Sequence, residues 1–549
     1  MSRIVVFVRR QRIKKLEIWT TRAILAEVFF LAIFPSAAAV AAMFGIVTWF
    51  LRLQIDTKFK MRSLPFDIPV TIFIMLGAVS VFMSPARNFE LIYNYCSIVG
   101  LYGLTYLLVG QNIRTAEQFK DLAKTLGAAA LIVVLIGYFQ YIFGIDIAEM
   151  KWIDGEAFPE MRKRVFSTFE NPNVLAGYLD VMICIALGFL AKFGTRNQKL
   201  LLMLGIIMLA VCLAMTYSRG AFLTLAIIFV FYGFLYDWRI LTLFALITGI
   251  LIYNDSNFLD RILSIFTTTD SSSEILRTGI WVSTISMIAD HPFVGIGWGA
   301  YEFLYPQYNY YLADPKIIIH HAHNLYLQTA AEVGIAGALS YFWYFFGTMF
   351  TTLSLRSNSH YSKMKDTAGE ISTRASESKF HKMFNDQLVK VFMESKFLQE
   401  FAQAKSMFML RMADFINKIF DSFSTSAETE TKKPKKKNEP ELVHHEEMKW
   451  DNSKKPKKNK ESKDEKKSDD DNIDIQKFAA DNSLFETEEQ NLTSDKKLVE
   501  AMKLGIGLAF LSMALNGMMD DLLFSIPSSI LMWILGAAGA AINLLDEEN

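Results

Sequence analysis

The sequence predicts an all-α protein: a polytopic membrane helix bundle of about 12 transmembrane helices, with a long external loop and a charged cytoplasmic insertion. Three observations favour this fold class. Of the 549 residues, 52% are hydrophobic, and they are concentrated in long uninterrupted runs. About 20 apolar residues are enough to cross a bilayer as a helix. The Lys and Arg residues cluster in particular connections between those runs, as the positive-inside rule leads us to expect.

The first apolar run, 23–52, is too long for one untilted crossing. Basic residues flank both of its ends, and the positive-inside rule places both flanks in the cytoplasm. We therefore expect two short helices that fold back near Pro35. The apolar run is also too long for a cleavable signal peptide, so we expect it to be retained.

Single crossings are predicted for the remaining apolar runs. They cover 66–84, 89–109, 122–144, 172–191, 199–217, 221–236, 240–253, 324–352, 502–518 and 524–544. With the hairpin these make twelve crossings, which places both termini in the cytoplasm. The basic connections 111–121, 196–199 and 237–239 then also fall in the cytoplasm, as the positive-inside rule requires.

This topology divides the chain into five segments. They are 1–253 with helices 1–9, the external loop 254–322, helix 10 at 323–353, the cytoplasmic insertion 354–499, and the last two helices at 500–549. Within the insertion, 379–423 predicts a basic amphipathic helix on the membrane surface, and 425–475 has the composition of a disordered segment. Its lysine runs are compatible with nucleic acid, but the interspersed acidic residues favour a solvated linker, so no nucleic-acid partner is expected.

The external loop is longer than an ordinary connection, and such loops are usually functional or disordered. Residues 274–290 have the apolar spacing of a helix, which we expect to lie on the membrane surface. The aromatic-rich stretch 301–311 fits either an interfacial aromatic belt or a sugar-stacking lid. The Gly-Ile-Gly-Trp-Gly sequence at 295–299 follows no strand, so it predicts a tight turn rather than a dinucleotide site.

Several cations lie on the side of the membrane where cations are disfavoured. The predicted external segments contain 162–164 (Arg-Lys-Arg), Arg219 in a tight turn, and Arg277 in the long loop. Each one alone is explained by anchoring at the interface. Together they suggest an anion site, and arginine suits a diphosphate because its planar guanidinium donates paired hydrogen bonds and stays charged.

Residues 320–324 read His-His-Ala-His-Asn at the start of a predicted helix. Histidine titrates nearest neutral pH, so it suits general acid or base catalysis. A capping or loop histidine is the alternative. A metal site is a third reading, but the spacing matches no standard zinc pattern and no paired carboxylate is nearby in the sequence, so no metal is predicted.

Several of these segments resemble the O-antigen ligase and O-antigen polymerase superfamily. The most specific element is His323-Asn324, nine residues, Gly334, two residues and Gly337. The resemblance covers about 160–353 and, more weakly, the last two helices. Its other elements are the turn Thr216-Tyr217-Ser218-Arg219-Gly220 with Leu223, the stretch from Arg164 to Asn173, the stretch from Arg277 through Trp281 to His291-Pro292, and Asp520 with Asp521.

The resemblance implies a glycosyltransferase of the bacterial inner membrane that needs neither metal nor cofactor. The implied donor is a glycan on a polyprenyl diphosphate, and the acceptor is a hydroxyl group of a lipid or a glycan on the outer face. Arg219 and Arg277 would hold the diphosphate with help from Arg164. His323 would accept the acceptor's proton, and the reaction would invert the anomeric carbon.

Three further polar residues are expected to contact substrate: Asn173, Asn324 and Glu332. Polar groups at membrane depth are costly and often functional, although hydrogen bonding between helices is the favoured explanation for Asn324, Glu332 and Asp180. The sequence favours a ligase slightly over a polymerase. A transporter of lipid-linked glycans and a sensor acting through the insertion are the alternatives from other classes. No internal repeat supports the transporter.

Overall fold

The structure is a computed structural model of the whole chain, in which Met1–Leu355 and Asp474–Asn549 form one compact unit. It describes residues 2–144, 164–169, 171–237, 239–254, 272–309, 319–353, 474–521 and 525–548. Some predicted features lie outside these residues: the amphipathic and disordered parts of the insertion, Arg162 and Lys163, and the end of the aromatic stretch.

Every regular element in the described ranges is helical. In chain order the helices are α1 (Ser2–Leu31), α2 (Pro35–Ile55), α3 (Asp67–Met83), α4 (Phe89–Asn94), α5 (Gly100–Asn112), α6 (Ala116–Phe143), α7 (Pro172–Lys192), α8 (Arg196–Ala214), α9 (Arg219–Leu235), α10 (Arg239–Asn254), α11 (Ser272–Asp290), α12 (Tyr301–Leu304), α13 (Leu325–Leu353), α14 (Asp474–Asn516) and α15 (Ile526–Glu548). A π-helical turn, Tyr95–Val99, joins α4 to α5, and a 3₁₀ turn, Tyr305–Tyr308, follows α12.

The predicted fold-back near Pro35 is confirmed. Helices α1 and α2 pack against each other, and Pro35 occupies the first turn of α2, where its missing N–H costs nothing. Thr20 and Thr48 join the two helices through a buried hydrogen bond of 3.0 Å. Helix α1 starts at Ser2, well before the apolar run, so the basic N-terminal residues continue the same helix.

Within the described ranges, eight helices are long and apolar enough to cross a membrane. Three shorter apolar helices, Asp67–Met83, Arg219–Leu235 and Arg239–Ile250, match further predicted crossings. The predicted total of twelve crossings stays a prediction, as does their orientation. The described chain is nonetheless that of a multi-pass membrane protein.

The helices that follow the insertion lie in the centre of the bundle. Helix α14 packs mainly on α7, and α15 packs mainly on α5. Trp533 of α15 is fully buried, and its ring stacks on Tyr344 with centroids 4.8 Å apart. Gly188 of α7 lets α14 approach closely, because a Cβ there would lie 2.4 Å from the carbonyl oxygen of Ala501, as small residues do in membrane helix pairs. The turn after α14 is therefore held within the bundle.

The predicted helix over 274–290 is confirmed as α11, although its predicted position on the membrane surface stays a prediction. Helix α13 differs from the uninterrupted run expected over 324–352. It is broken at Gly334, whose φ of 72° and ψ of 172° are not helical. The physical reason lies in the glycine turn that precedes it, described below.

Candidate functional site

Arg219 is the first residue of α9 and follows a turn with unusual backbone geometry. Tyr217 has a φ of 52°, in the left-handed region, which is costly for a residue with a side chain. The guanidinium of Arg164 donates a 2.7 Å hydrogen bond to the carbonyl oxygen of Thr216 in this turn. The amide of Val165 donates to the carbonyl of Met215 at 3.0 Å. The segment that carries Arg164 therefore holds the turn that presents Arg219.

The predicted site residues Arg164 and Asn173 are in direct contact. The side-chain oxygen of Asn173 accepts a 2.8 Å hydrogen bond from the Arg164 guanidinium. Asn173 lies in the first turn of α7, and its own amide donates to the side chain of Asn171, the N-cap of that helix, an arrangement typical of helix starts. Arg164 thus joins the start of α7 to the turn before α9.

His323 faces Asp520, which lies just after α14. The Nδ1 atom of His323 is 3.5 Å from Oδ1 of Asp520, and the side chains are 34% and 26% exposed. This separation is longer than a hydrogen bond, and Nδ1 has no hydrogen-bonding partner among the described residues. His323 also has a φ of 49°. An imidazole and a carboxylate therefore meet at a half-buried position, where a small movement would bring them into hydrogen-bonding contact.

His321 and Arg277 lie beside this pair. The rings of His321 and His323 have centroids 4.1 Å apart. Burial lowers the pKa of His321 to about 3, and the charges of His323 and Arg277 also lower it. His321 is therefore neutral near pH 7, and Arg277 is near enough to act on it electrostatically.

Burial raises the pKa of Asp520, but the neighbouring His323 imidazole and a hydrogen bond from the backbone amide of Asp521 outweigh it, so this pKa lies below its usual value. Asp520 is therefore an anion at neutral pH. His321, His323 and Asp520 also present three possible metal ligands within 4.8 Å of one another. The predicted absence of a metal stays a prediction.

Asn324 caps α13 and ties it to the turn after α14. Its side-chain oxygen accepts hydrogen bonds from the amides of Tyr326 and Leu327, each 3.0 Å long, as an N-cap residue does. Its side-chain nitrogen donates to the carbonyl of Met518 at 3.2 Å, and the amide of Leu325 donates to the carbonyl of Gly517 at 2.8 Å. These bonds place His323 next to Asp520.

The same turn also contacts the helix that presents Arg219. A Cβ at Gly220 would touch the Met519 side chain at 3.4 Å, so the two segments are packed together. One turn further into the bundle, Asn516 donates a 2.8 Å hydrogen bond to Asp180 and accepts one of 3.2 Å from Thr224. The start of α9 is thereby fixed relative to the residues around Asp520.

The predicted tight turn at 295–299 is confirmed, and it fills the break in α13. Gly295, Gly297 and Gly299 all have positive φ. The amides of Ile296 and Gly297 donate to the carbonyls of Ala331 and Glu332 at 2.8 and 3.0 Å. The turn therefore satisfies polar backbone groups that the broken helix leaves without helical partners, as a membrane protein requires.

Gly334 permits this close approach. A Cβ there would lie 2.4 Å from the carbonyl oxygen of Phe293. The side chain of Glu332 is buried beside the turn and accepts hydrogen bonds of 2.9 Å from the amide of Gly299 and from Gln328. Its carboxylate is therefore engaged within the protein, and its predicted substrate contact stays a prediction.

The structure thus brings the predicted external residues into two adjoining groups. One contains Arg164, Asn173 and Arg219. The other contains Arg277, His323 and Asn324, and the turn 517–520 contacts both groups. The sequence indicates Asp520 only through the resemblance of the last two helices, which gives it no role, although two consecutive acidic residues after a predicted span are a usable signal.

The O-antigen ligase family model matches residues 204–342 of the chain. The matched segment contains Arg219, Arg277, His323, Asn324 and Glu332, together with the glycine turn and the break at Gly334. Arg164, Asn173 and Asp520 lie outside it. A search of curated proteins found no match to the chain. Residues 204–342 are thus similar to the O-antigen ligase family, and this match confirms the resemblance inferred from the motifs.

Proposed function

We propose that the protein transfers a glycan from a polyprenyl diphosphate carrier to an acceptor hydroxyl group on the outer face of the inner membrane, as an O-antigen ligase-like glycosyltransferase. The observation that carries this proposal is the contact between His323 and Asp520 at one end of the bundle, adjoining the segments that carry Arg219 and Arg277. This combination suits the departure of an anion and the removal of a proton in the same step.

The two arginines are proposed to bind the donor diphosphate. Negative charge grows on the bridging oxygen as the bond to the sugar breaks, and preorganised cationic donors are commonly the largest contribution to catalysis in such sites. Arg219 is at the start of α9, where the helix dipole also favours an anion. Arg164 is proposed to assist by holding the Arg219 turn, through its bonds to Thr216 and Asn173.

His323 is proposed to be the general base. Asp520 would accept a hydrogen bond from Nδ1–H and so leave the Nε2 lone pair free for the acceptor hydroxyl. The acceptor oxygen then bonds to the anomeric carbon while the carbon–oxygen bond to the diphosphate breaks. The electron pair of the broken carbon–oxygen bond leaves with the diphosphate, and the hydroxyl proton goes to His323. Attack from the face opposite the leaving group inverts the anomeric carbon, and no metal enters this scheme.

The experiment compares His323→Ala and Arg219→Ala with the wild-type protein in membranes supplied with a polyprenyl-diphosphate-linked glycan and acceptor lipid. We expect both variants to insert normally and to lose transfer. His323→Ala removes a positioned base, which contributes about 10²- to 10⁴-fold, and Arg219→Ala removes a cationic donor to the leaving diphosphate. His291→Ala and Arg87→Ala are matched controls, because neither side chain belongs to the two groups described above. Wild-type transfer by both site variants would contradict the proposal.

Two readouts separate this function from its alternatives. Mass analysis of the glycans distinguishes a ligase, whose loss prevents attachment, from a polymerase of the same superfamily, whose loss shortens the chains. Vesicles containing the wild-type protein test transport. Movement of the lipid-linked glycan across the bilayer without any new glycosidic bond would contradict glycan transfer and favour a transporter.

A further inference from the structure

Ala322, between His321 and His323, has both of its backbone polar groups held by side chains from neighbouring helices. Its carbonyl oxygen accepts a 3.0 Å hydrogen bond from the indole N–H of Trp281 on α11. Its amide donates a 2.7 Å hydrogen bond to the side-chain oxygen of Gln328 on α13. Ala322 is completely buried. We call these two hydrogen bonds the Ala322 clamp.

The hydrogen bond from Trp281 connects the helix that carries Arg277, which is proposed to bind the donor, to the segment that carries His323, which is proposed to act on the acceptor. Trp281 lies one helical turn after Arg277 on α11, so the two side chains project from the same face of that helix. The indole hydrogen bond therefore fixes the register of α11 against the histidine segment. A shift of α11 along its axis would break this bond and move Arg277 away from His323.

The Gln328 half connects the histidine segment to the break in α13. The side-chain nitrogen of Gln328 donates a 2.9 Å hydrogen bond to Glu332, and the same carboxylate oxygen accepts from the amide of Gly299. A continuous chain of hydrogen bonds thus runs from Ala322 through Gln328 and Glu332 to the glycine turn. Both polar groups of the Gln328 amide are used in it.

The backbone of His323 needs this support. A φ of 49° is in the left-handed region, which is unfavourable for a residue with a Cβ. Such conformations persist when the surrounding structure holds them in place, and they concentrate at functional sites. The clamp holds the peptide groups immediately before His323, one from α11 and one from α13. It therefore helps to keep the His323 backbone in this conformation.

We infer that Trp281 and Gln328 are positioning residues of the transfer site, which set His323 against Asp520 and Arg277 by holding Ala322. This inference rests on the proposed function. Neither residue needs to touch substrate for the clamp to act. It acts through His323, because an imidazole displaced by about 1 Å can cost roughly 100-fold in rate.

The test uses the full-length protein in lipid nanodiscs and the variants Trp281→Phe and Gln328→Met. The first removes the indole donor and keeps an aromatic ring, and the second removes both hydrogen bonds of the amide with little change in volume. We expect each variant to lower kcat by roughly 10- to 100-fold and to leave KM for the donor within about twofold. Trp343→Phe is the matched control, since Trp343 lies on α13 with 58% of its surface exposed.

Hydrogen exchange provides a readout that does not depend on activity. Both variants should accelerate amide exchange in the peptide containing 319–324 and leave the 164–169 segment unchanged. In a His323→Ala background, Trp281→Phe should cause no further loss of rate, because the effects of two substitutions that act through the same group do not add. The same proportional loss in both backgrounds would show a general structural role and overturn the inference.

The outcomes also separate the clamp from the function on which it rests. Suppose that the wild-type protein transfers glycan but amide exchange in the 319–324 peptide is the same in both variants as in the wild type. This result would overturn the positioning role of Trp281 and Gln328 and leave the proposed function standing. The clamp is likewise overturned if Trp281→Phe and Gln328→Met keep the wild-type kcat. Absence of transfer by the wild-type protein would overturn the proposed function, and the positioning role with it, whatever the exchange rates are.

Discussion

The Nδ1 atom of His323 lies 3.5 Å from the carboxylate of Asp520, although the whole charged insertion separates these residues in the sequence. The contact exists because α14 returns to the centre of the bundle and the turn that follows it is hydrogen-bonded to the start of α13. The candidate base and its anionic neighbour thus come from helices on opposite sides of the insertion.

Asp520→Asn should impair glycan transfer, although the new side chain has nearly the same size and shape. The variant removes the negative charge that is proposed to orient and stabilise the imidazole, so we expect transfer to fall by about 100-fold, with donor affinity nearly unchanged. Initial rates at saturating donor measure this effect. Asp290→Asn is the control, because Asp290 accepts a hydrogen bond from Tyr308 outside the His–Asp pair. An Asp520→Asn enzyme with the wild-type rate would remove Asp520 from the mechanism.

Arg219→Lys and Arg277→Lys should each lose most of the transfer rate even though the charge is kept. A lysine presents a point charge and cannot donate the paired, planar hydrogen bonds that a guanidinium offers to a diphosphate. Donor binding and turnover are measured separately with the purified variants. Arg87→Lys serves as the control, since this exposed arginine donates only to the carbonyl of Phe82 among the hydrogen bonds described. Full activity of both lysine variants would argue against diphosphate recognition by these residues.

The stability of the protein should decrease as the pH falls from about 6.5 toward 3. Burial lowers the pKa of His321 from the ordinary 6.5 to about 3, so in this window the unfolded chain binds a proton that the folded chain does not. Stability therefore rises with pH across the window and is lost on acidification. Thermal unfolding in detergent at several pH values measures the slope. His321→Gln should flatten it and His291→Gln should leave it unchanged, whereas equal slopes in all three proteins would refute this account.

Gly334→Ala should destabilise the protein strongly. A backbone at φ 72° and ψ 172° lies in a region that is essentially restricted to glycine and costs another residue about 1–3 kcal/mol, and the new Cβ would lie 2.4 Å from the carbonyl oxygen of Phe293. Thermal unfolding or resistance to denaturing detergent measures the loss. Gly127→Ala is the matched control, because a Cβ there meets nothing within 4 Å and alanine is the better helix former. A Gly334→Ala protein as stable as the Gly127→Ala protein would contradict the proposed fit of the glycine turn.

Much of the fold was predictable because it depends on local composition. The apolar runs predicted the main helices, the fold-back near Pro35 and the helix over 274–290, since each requires only a hydrophobic length or a periodic pattern. The break at Gly334 was not predicted. The residues around it are as apolar as those of a continuous helix, and the break is caused by a turn from another part of the chain that supplies hydrogen bonds to it.

The amino-acid sequence shows which residue types are available for chemistry: the arginines predicted to be external, the histidine segment 320–324 and the motifs around them. Their partners are visible only in the folded bundle, namely Asp520 beside His323, Arg164 on the Thr216 turn, and Trp281 and Gln328 on Ala322. The physical reason is that a hydrogen bond or ion pair depends on separations of a few ångströms between side chains. Those separations are set by helix packing across the whole bundle, whereas a sequence pattern constrains only neighbours along one helix.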